Sequence, residues 1–239
     1  MYWDSTSDWR LSYYNELHNR KKKDLSMIEL AERELDELEY YIITQVLIDN
    51  AVRKVCDLGC GVGRQILYYA SNYKNIEFWG IDISRVQIET LKKKKKKNNV
   101  KNIVALQMDA ASIKDINQRF DLITLLNNSF GCMGKVQQMR CLESLESVIS
   151  TNGRLVISCF NRLDLAMEAY QEWGFPAAKI DYDNGVVNTG EYISCWKTES
   201  LFLPYLIGSN KWSICEKKTV GLGTVYVFRR RGRNTYEKF

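Results

Sequence analysis

One histidine in 239 residues, and no Cys-x-x-Cys spacing anywhere, leave little from which to build a zinc centre. The seven cysteines, at 56, 60, 132, 141, 159, 195 and 215, are odd in number and scattered, so neither a disulfide framework nor a bound metal is expected. Cys56, Cys159 and Cys215 fall inside expected strands, where a thiol behaves as a small buried hydrophobe. No uncharged apolar run approaches the ~20 residues of a membrane span. The opening MYWDSTSDWR lacks the basic-then-apolar order of a secretory signal, which makes the cytoplasm the expected location. There is no internal repeat, and low complexity is confined to Lys92–Lys97.

What remains is an ordinary globular composition, 45% apolar and 26% charged, in a chain long enough for one α/β domain over residues 1–239. The net charge of +5 is mild, but basic residues cluster at Lys21–Lys23, Lys92–Lys97 and Arg229–Arg231 with Arg233. Such clusters can track phosphates. The lysine run closes an expected helix, where cations complement the macrodipole and solvate freely.

Two helices open the chain, the first over about Thr6 to His18. The second begins at a capping box, Ser26 with Glu29, and carries Leu30, Leu35, Leu38, Ile42, Val46 and Leu47 at helical spacing. The rhythm then changes. Short apolar runs at Lys54–Leu58, Ile76–Ile83, Ile103–Met108, Leu122–Leu126 and Leu155–Phe160 alternate with helical stretches at 64–72, 84–97 and 135–150. That alternation means βαβ crossovers and a parallel sheet. Ser84 with Gln87 makes a second capping box. Beyond Phe160 the pattern loosens: a helix over 162–174, an extended or hairpin segment over 185–196, and a short helix from Thr198 to Tyr205. An antiparallel hairpin, Trp212–Val220 with Thr224–Arg230, closes the chain around Gly221 and Gly223.

The chemistry concentrates between Val55 and Asp109. Asp57-Leu-Gly59-Cys-Gly61-Val-Gly63-Arg64 is a strand end turning through glycines into a helix. Glycine serves where φ is positive or where a ligand must approach without meeting a Cβ. The dinucleotide fingerprint Gly-x-Gly-x-x-Gly requires glycine where Arg64 stands. Asp82 ends the second strand, where a carboxylate can accept from two ribose hydroxyls, and Asp109 ends the third, where it can accept from an exocyclic amine. Each acid alone reads as a helix cap or surface charge. Three at consecutive strand ends, on the edge where open α/β sheets bind ligands, read as a site.

On these residues the chain resembles the class I S-adenosylmethionine-dependent methyltransferases, well over residues 50–160 and more loosely beyond. The resemblance implies a Rossmann-like, mostly parallel seven-stranded sheet with helices on both faces and a last strand inserted antiparallel. It implies S-adenosyl-L-methionine as cofactor, with Asp57, Gly59, Gly61 and Gly63 as the first motif and Asp82 on the ribose. Ile83 would pack on adenine, and Asp109 with the Ala110 amide would read it. Residues 1–49 are expected as a helical lid, 50–160 as the cofactor core, 161–210 as a substrate-side insertion, and 211–239 as closing strands and basic tail.

The loop after the fourth strand, Leu126-Asn127-Asn128-Ser129-Phe130-Gly131, keeps an Asn and an aromatic but lacks the paired prolines of adenine-N6 enzymes. Cytosine-C5 enzymes need Pro-Cys, and metal-dependent catechol-type enzymes need carboxylates where Asn127, Asn128 and Asn161 stand. The loop looks like the small-molecule branch, amine methyltransferases in particular, with Asn127 on the cofactor side and Asn128, Ser129 and Phe130 toward the acceptor; a plain polar turn is the other reading. Trp3, Trp9, Tyr13 and Tyr14 either line the acceptor site, where aromatic faces can hold a cation, or pack the first helix on the sheet. Tyr170, Trp173, Tyr182, Tyr192 and Trp196 are expected to form the other wall. His18 is the lone imidazole available as a base, and otherwise a solvated helix-end residue. Methylation of a small molecule leads, with N-methylation ahead of O-methylation. RNA methylation through the basic clusters and a catalytically silent binding subunit are the alternatives.

Overall fold

The computed structural model describes residues 16–49 and 51–231. Helix α1, Met27–Asp49, starts at the expected capping box: the Ser26 amide donates to Glu29 Oε2 at 2.8 Å and the Glu29 amide to Ser26 Oγ at 3.0 Å. Strand and helix then alternate as β1 (Lys54–Leu58), α2 (Arg64–Asn72), β2 (Glu77–Asp82), α3 (Arg85–Lys97) and β3 (Ile103–Gln107). A 3-10 segment at Ala110–Ile116, β4 (Phe120–Leu125), α4 (Lys135–Val148) and β5 (Ile149–Phe160) follow. After α5 (Ala166–Glu172), the short strands β6 (Lys179–Asp181), β7 (Val186–Asn188) and β8 (Ile193–Cys195) precede α6 (Glu199–Gly208) and the closing pair β9 (Trp212–Val220) and β10 (Gly223–Arg230).

The sheet runs β3-β2-β1-β4-β5-β10-β9, parallel through β5. The last strand, β10, is inserted antiparallel between β5 and β9. A right-handed crossover between parallel strands requires a helix on one face or the other, and both faces are covered. The alternation along β5 shows how: Val156 and Phe160 belong to the core shared with α1, α2 and α5, whereas Leu155, Ile157 and Cys159 belong to the core shared with α4 and α6.

Two differences from the sequence reading have physical causes. Within the stretch 1–49, expected as a helical lid, α1 packs on the sheet face by burying Ile28, Leu35, Ile42, Val46 and Leu47, while residues 1–15 lie outside the described ones. In the loose segment after Phe160 the hairpin expected over 185–196 is β7–β8, and β6, too short at three residues to show alternation, joins it in a separate antiparallel sheet. Trp3, Trp9, Tyr13 and Tyr14 lie outside the described residues.

The β9–β10 turn is clamped to α1. Gly221 has φ +49°, the Leu222 amide donates to the Ala31 carbonyl at 3.3 Å, and a Cβ on Gly221 would stand 1.9 Å from that oxygen. Backbone cannot yield as a side chain does. Gly221→Ala is expected to lower unfolding free energy by on the order of 3 kcal/mol, read as a shifted urea midpoint at unchanged slope; an unmoved midpoint would show that the turn is not held against α1.

Candidate functional site

The parallel strands end together at one edge, and the glycine turn is fastened there. The Gly59 and Cys60 amides both donate to the Ile81 carbonyl, at 2.8 and 3.0 Å, and the Gly63 amide closes the turn on the Cys60 carbonyl at 3.0 Å. Gly59, Gly61 and Gly63 all have positive φ, at +76°, +55° and +81°. A Cβ on Gly59 would stand 2.8 Å from that of Ser129, whereas one on Gly61 would meet nothing nearer than Gln87 Oε1 at 3.8 Å. Gly59 is thus small because the protein crowds it. Gly61 has open space above it, as a turn that receives a ligand requires.

The three strand-end acids are held differently. Asp82 Oδ2 accepts from the Gly61 amide at 2.8 Å and Oδ1 from the Ser84 amide at 2.9 Å, so this carboxylate braces the turn as well as facing the edge. Burial raises its pKa against those bonds. Asp57 is buried beneath the turn, its Oδ1 accepting from Thr124 Oγ1 at 2.7 Å; burial first, then repulsion from Asp82, pushes it up to about 6. Asp109 accepts from the Ala111 amide at 2.9 Å and caps the 3-10 segment. Ile83 is half-buried between Asp82 and Ser84, and Ala110 is buried.

Asn127 and Asn128 leave β4 in left-handed conformation, at φ +48° and +59°. The Asn127 amide donates to Ser158 Oγ at 2.6 Å and Glu39 Oε1 at 2.8 Å. Asn128 is buried; its amide group reaches Ser194 Oγ at 3.0 Å and the Cys195 carbonyl at 3.2 Å, and its oxygen accepts from the Phe160 amide at 3.3 Å. Ser129 Oγ donates to the Leu126 carbonyl at 2.6 Å and reaches the Gly59 carbonyl at 3.3 Å, joining the two loops of the edge. Phe130 is fully buried, edge-on to Phe202 at 5.9 Å. These three side chains support the loop from behind. Likewise Tyr170, Trp173, Tyr192 and Trp196 pack with one another and with Phe160 as a buried cluster, and only Tyr182 of the expected wall is exposed.

Sequence reasoning missed a buried acidic face of α1: Glu32, Asp36 and Glu39. Asp36 takes two hydrogen bonds or ion-pair contacts from Arg64, at 2.5 and 2.7 Å, and one from His18 Nε2 at 2.6 Å. Burial alone would push the Asp36 carboxyl up, but the His18 bond and the Arg64 guanidinium hold it below its usual value. His18 is therefore fastened to a buried carboxylate rather than standing free at a helix end. Glu39 accepts from Gln65 Nε2 at 2.5 Å and from Ser158; burial and repulsion from Asp36 raise it to about 7. The signal was present, since acids at 32, 36 and 39 recur at i, i+4, i+7, on the face that carries Ile43 and Val46.

With this geometry the comparisons agree. The family model described as a methyltransferase domain matches residues 49–213. The chain belongs to that family. The family and the fold are those of S-adenosylmethionine-dependent methyltransferases. An uncharacterised protein of Rickettsia prowazekii is 33% identical over 108 residues, covering 44% of this chain and 42% of its own. The chloroplastic tocopherol O-methyltransferase of Arabidopsis thaliana is 24% identical over 188 residues, covering 76% of this chain and 51% of its own. The chain thus spans about half the length, or less, of these curated relatives. Among solved structures, the CcbJ methyltransferase of Streptomyces caelestis superposes with TM-score 0.63 at 16% identity, covering 81% of this chain and 89% of that one. Magnesium protoporphyrin IX methyltransferase of Synechocystis, solved with bound S-adenosylhomocysteine, superposes at 0.64 and 15%, covering 95% and 97%. Among the described residues no helix is long and apolar enough to cross a membrane.

The raised carboxyls of Glu39 and Asp57, with that of Asp82 shifted in the same direction, fix a sign for stability against pH. Glu39 moves from 4.5 to about 7 and Asp57 from 3.8 to about 6, so between about pH 4 and 7 the folded state binds more protons than the unfolded one. Their contribution is complete at low pH and is lost as pH rises through 6 and 7. The ligand-free protein is expected to show a higher urea midpoint at pH 5.5 than at pH 8; a lower one would contradict the burial of uncompensated acids beneath the turn.

Proposed function

We propose that this protein transfers the sulfonium methyl of S-adenosylmethionine to a small-molecule acceptor, nitrogen in preference to oxygen. The observation that carries the reading is Gly61: a positive-φ residue with open space over it, braced by Asp82 and flanked by Asp57 and Asp109 at neighbouring strand ends. These residues fit the cofactor. Asp82 would hold the ribose, Ile83, Asp109 and Ala110 the adenine, and the Gly59–Gly63 turn with Asp57 and Asn127 the methionine end. When bound, the cofactor supplies an activated methyl group. The chain supplies orientation, which carries much of the acceleration in an in-line displacement. Asn128, Ser129 and Phe130 serve the acceptor by setting the loop that faces it.

Two of the basic clusters form no phosphate track along this edge. Helix α3 leaves the edge at the end of β2, so Lys94–Lys97 lie toward the opposite edge, before β3. Arg229 and Arg230 are used within the fold, on Asn152 Oδ1 and the Ile149 carbonyl. The Arabidopsis relative, named for O-methylation, supports a small acceptor. Two observations favour the oxygen reading: that relative's name, and His18 on Asp36, which has the form of a base oriented by a carboxylate.

A radiolabelled-methyl screen over amines, hydroxy compounds and RNA tests the reading, with turnover on a small molecule expected and salt-steep turnover on RNA alone contradicting it. On the acceptor found, His18→Ala is expected to keep most activity, and turnover to rise with pH in both proteins as free amine becomes available. A loss of roughly 10²-fold or more, with fold and cofactor affinity intact, would make His18 the base and the acceptor atom oxygen.

A further inference from the structure

The loop that follows β4 has an unusual problem. Two consecutive non-glycine residues, Asn127 and Asn128, are held in the left-handed region, which their Cβ atoms disfavour. Such a conformation persists only where neighbours over-determine it. For Asn128 the neighbours are the strand-end amide of Phe160 and the small sheet, reached through its own side chain. For Asn127 they are Ser158 and Glu39, reached through its backbone amide.

Glu39 is an odd choice for this task. It is 1% exposed, and Arg64, the cation that faces it, makes its ion pair with Asp36. A carboxyl buried without its own cation is costly. Its two oxygens, however, join three elements. Oε1 accepts from the Asn127 amide and the Ser158 hydroxyl, at the ends of β4 and β5; Oε2 accepts from Gln65, one residue into α2 beyond the glycine turn. We propose that Glu39 is a positioning residue for the cofactor, setting the Asn127 backbone against the methionine end by an oxygen acceptor rather than by charge. This rests on the cofactor reading above.

The groups around it explain why an oxygen suffices. Asp36 and, through it, His18 face Glu39 along α1; Arg64 and Gln65 face it from α2; Asn127 and Ser158 face it from the strands. Gln65 Oε1 is buried with no hydrogen-bond partner, and Gln65 and Asp57 both line a small cavity under the turn. If the carboxyl at 39 takes up a proton, the Gln65 amide can turn and offer that oxygen to the new O–H, while the other carboxyl oxygen still accepts from Asn127. The carboxyl lies raised to about 7, where both forms are populated near neutrality. A glutamine at 39 reproduces the protonated form: its oxygen accepts from Asn127 and its amide donates to Gln65. A leucine fills the same space and accepts nothing.

Calorimetric titration of S-adenosylmethionine and S-adenosylhomocysteine into Glu39→Gln and Glu39→Leu separates these roles. The Gln variant is expected to bind both within roughly threefold of wild type, and the Leu variant roughly tenfold or more weakly, each titrated at a temperature where it is folded. Equal affinity in the Leu variant, or equal weakening in both, would overturn the proposal, since packing or charge would then be what matters. Should Glu39→Leu fail to fold, Glu39→Met decides: it too places no oxygen acceptor at 39, and unchanged affinity would overturn the proposal. Wild-type protein that binds neither probe would instead overturn the cofactor reading on which it stands.

Discussion

The Gly61 amide donating to Asp82 is the bond on which the edge of the sheet depends. With the Gly59 and Cys60 amides on the Ile81 carbonyl, it ties the turn after β1 to the end of β2, so the two strand ends move as one body. Three positive-φ residues in five would otherwise be a loose segment, because glycine surrenders the most backbone freedom on ordering. The fastening makes that loss in the folding step. A ligand arriving at the turn then meets a surface already arranged, which is the preorganisation that binding sites need.

Behind this surface the protein accepts costs. Asp57 and Glu39 are buried acids without cations of their own, and both are raised toward neutrality for that reason. Each is offset by hydrogen bonds that connect elements: Asp57 to Thr124 links β1 with β4, and Glu39 links α1 with β4, β5 and α2. Asp36 differs because Arg64 supplies a positive partner and His18 a hydrogen bond, and its carboxyl is lowered. Helix α1 is therefore more than a cover for the apolar face. Its polar stripe braces the loops whose shape the chemistry requires.

Much of the fold was legible because the parallel strands are short apolar runs and the helices carry capping boxes. Ser26–Glu29 and Asp57–Arg64 announce themselves by residue type and spacing alone. What escaped did so for physical reasons. Strand β6 has three residues, too few for a period. Phe130, Trp173 and Trp196 look like pocket walls in sequence, since an aromatic side chain reads the same whether it lines a site or fills a core; their near-complete burial assigns them to the core. Glu39 escaped because sequence pairs it with nothing: its partners lie 26, 88 and 119 residues away.

The central claim is that the space over Gly61 belongs to the cofactor. Titrating S-adenosylmethionine into Gly61→Val by calorimetry tests it most directly. Apart from its chain neighbours no protein atom lies nearer than 3.8 Å to the added Cβ, so the ligand-free fold does not crowd it, while a β-branched residue at φ +55° carries a strain of about 1–3 kcal/mol. The account predicts a variant that keeps a cooperative unfolding transition and shows no binding heat. A variant that binds S-adenosylmethionine as wild type does would contradict it, and would make the glycine turn a structural device alone.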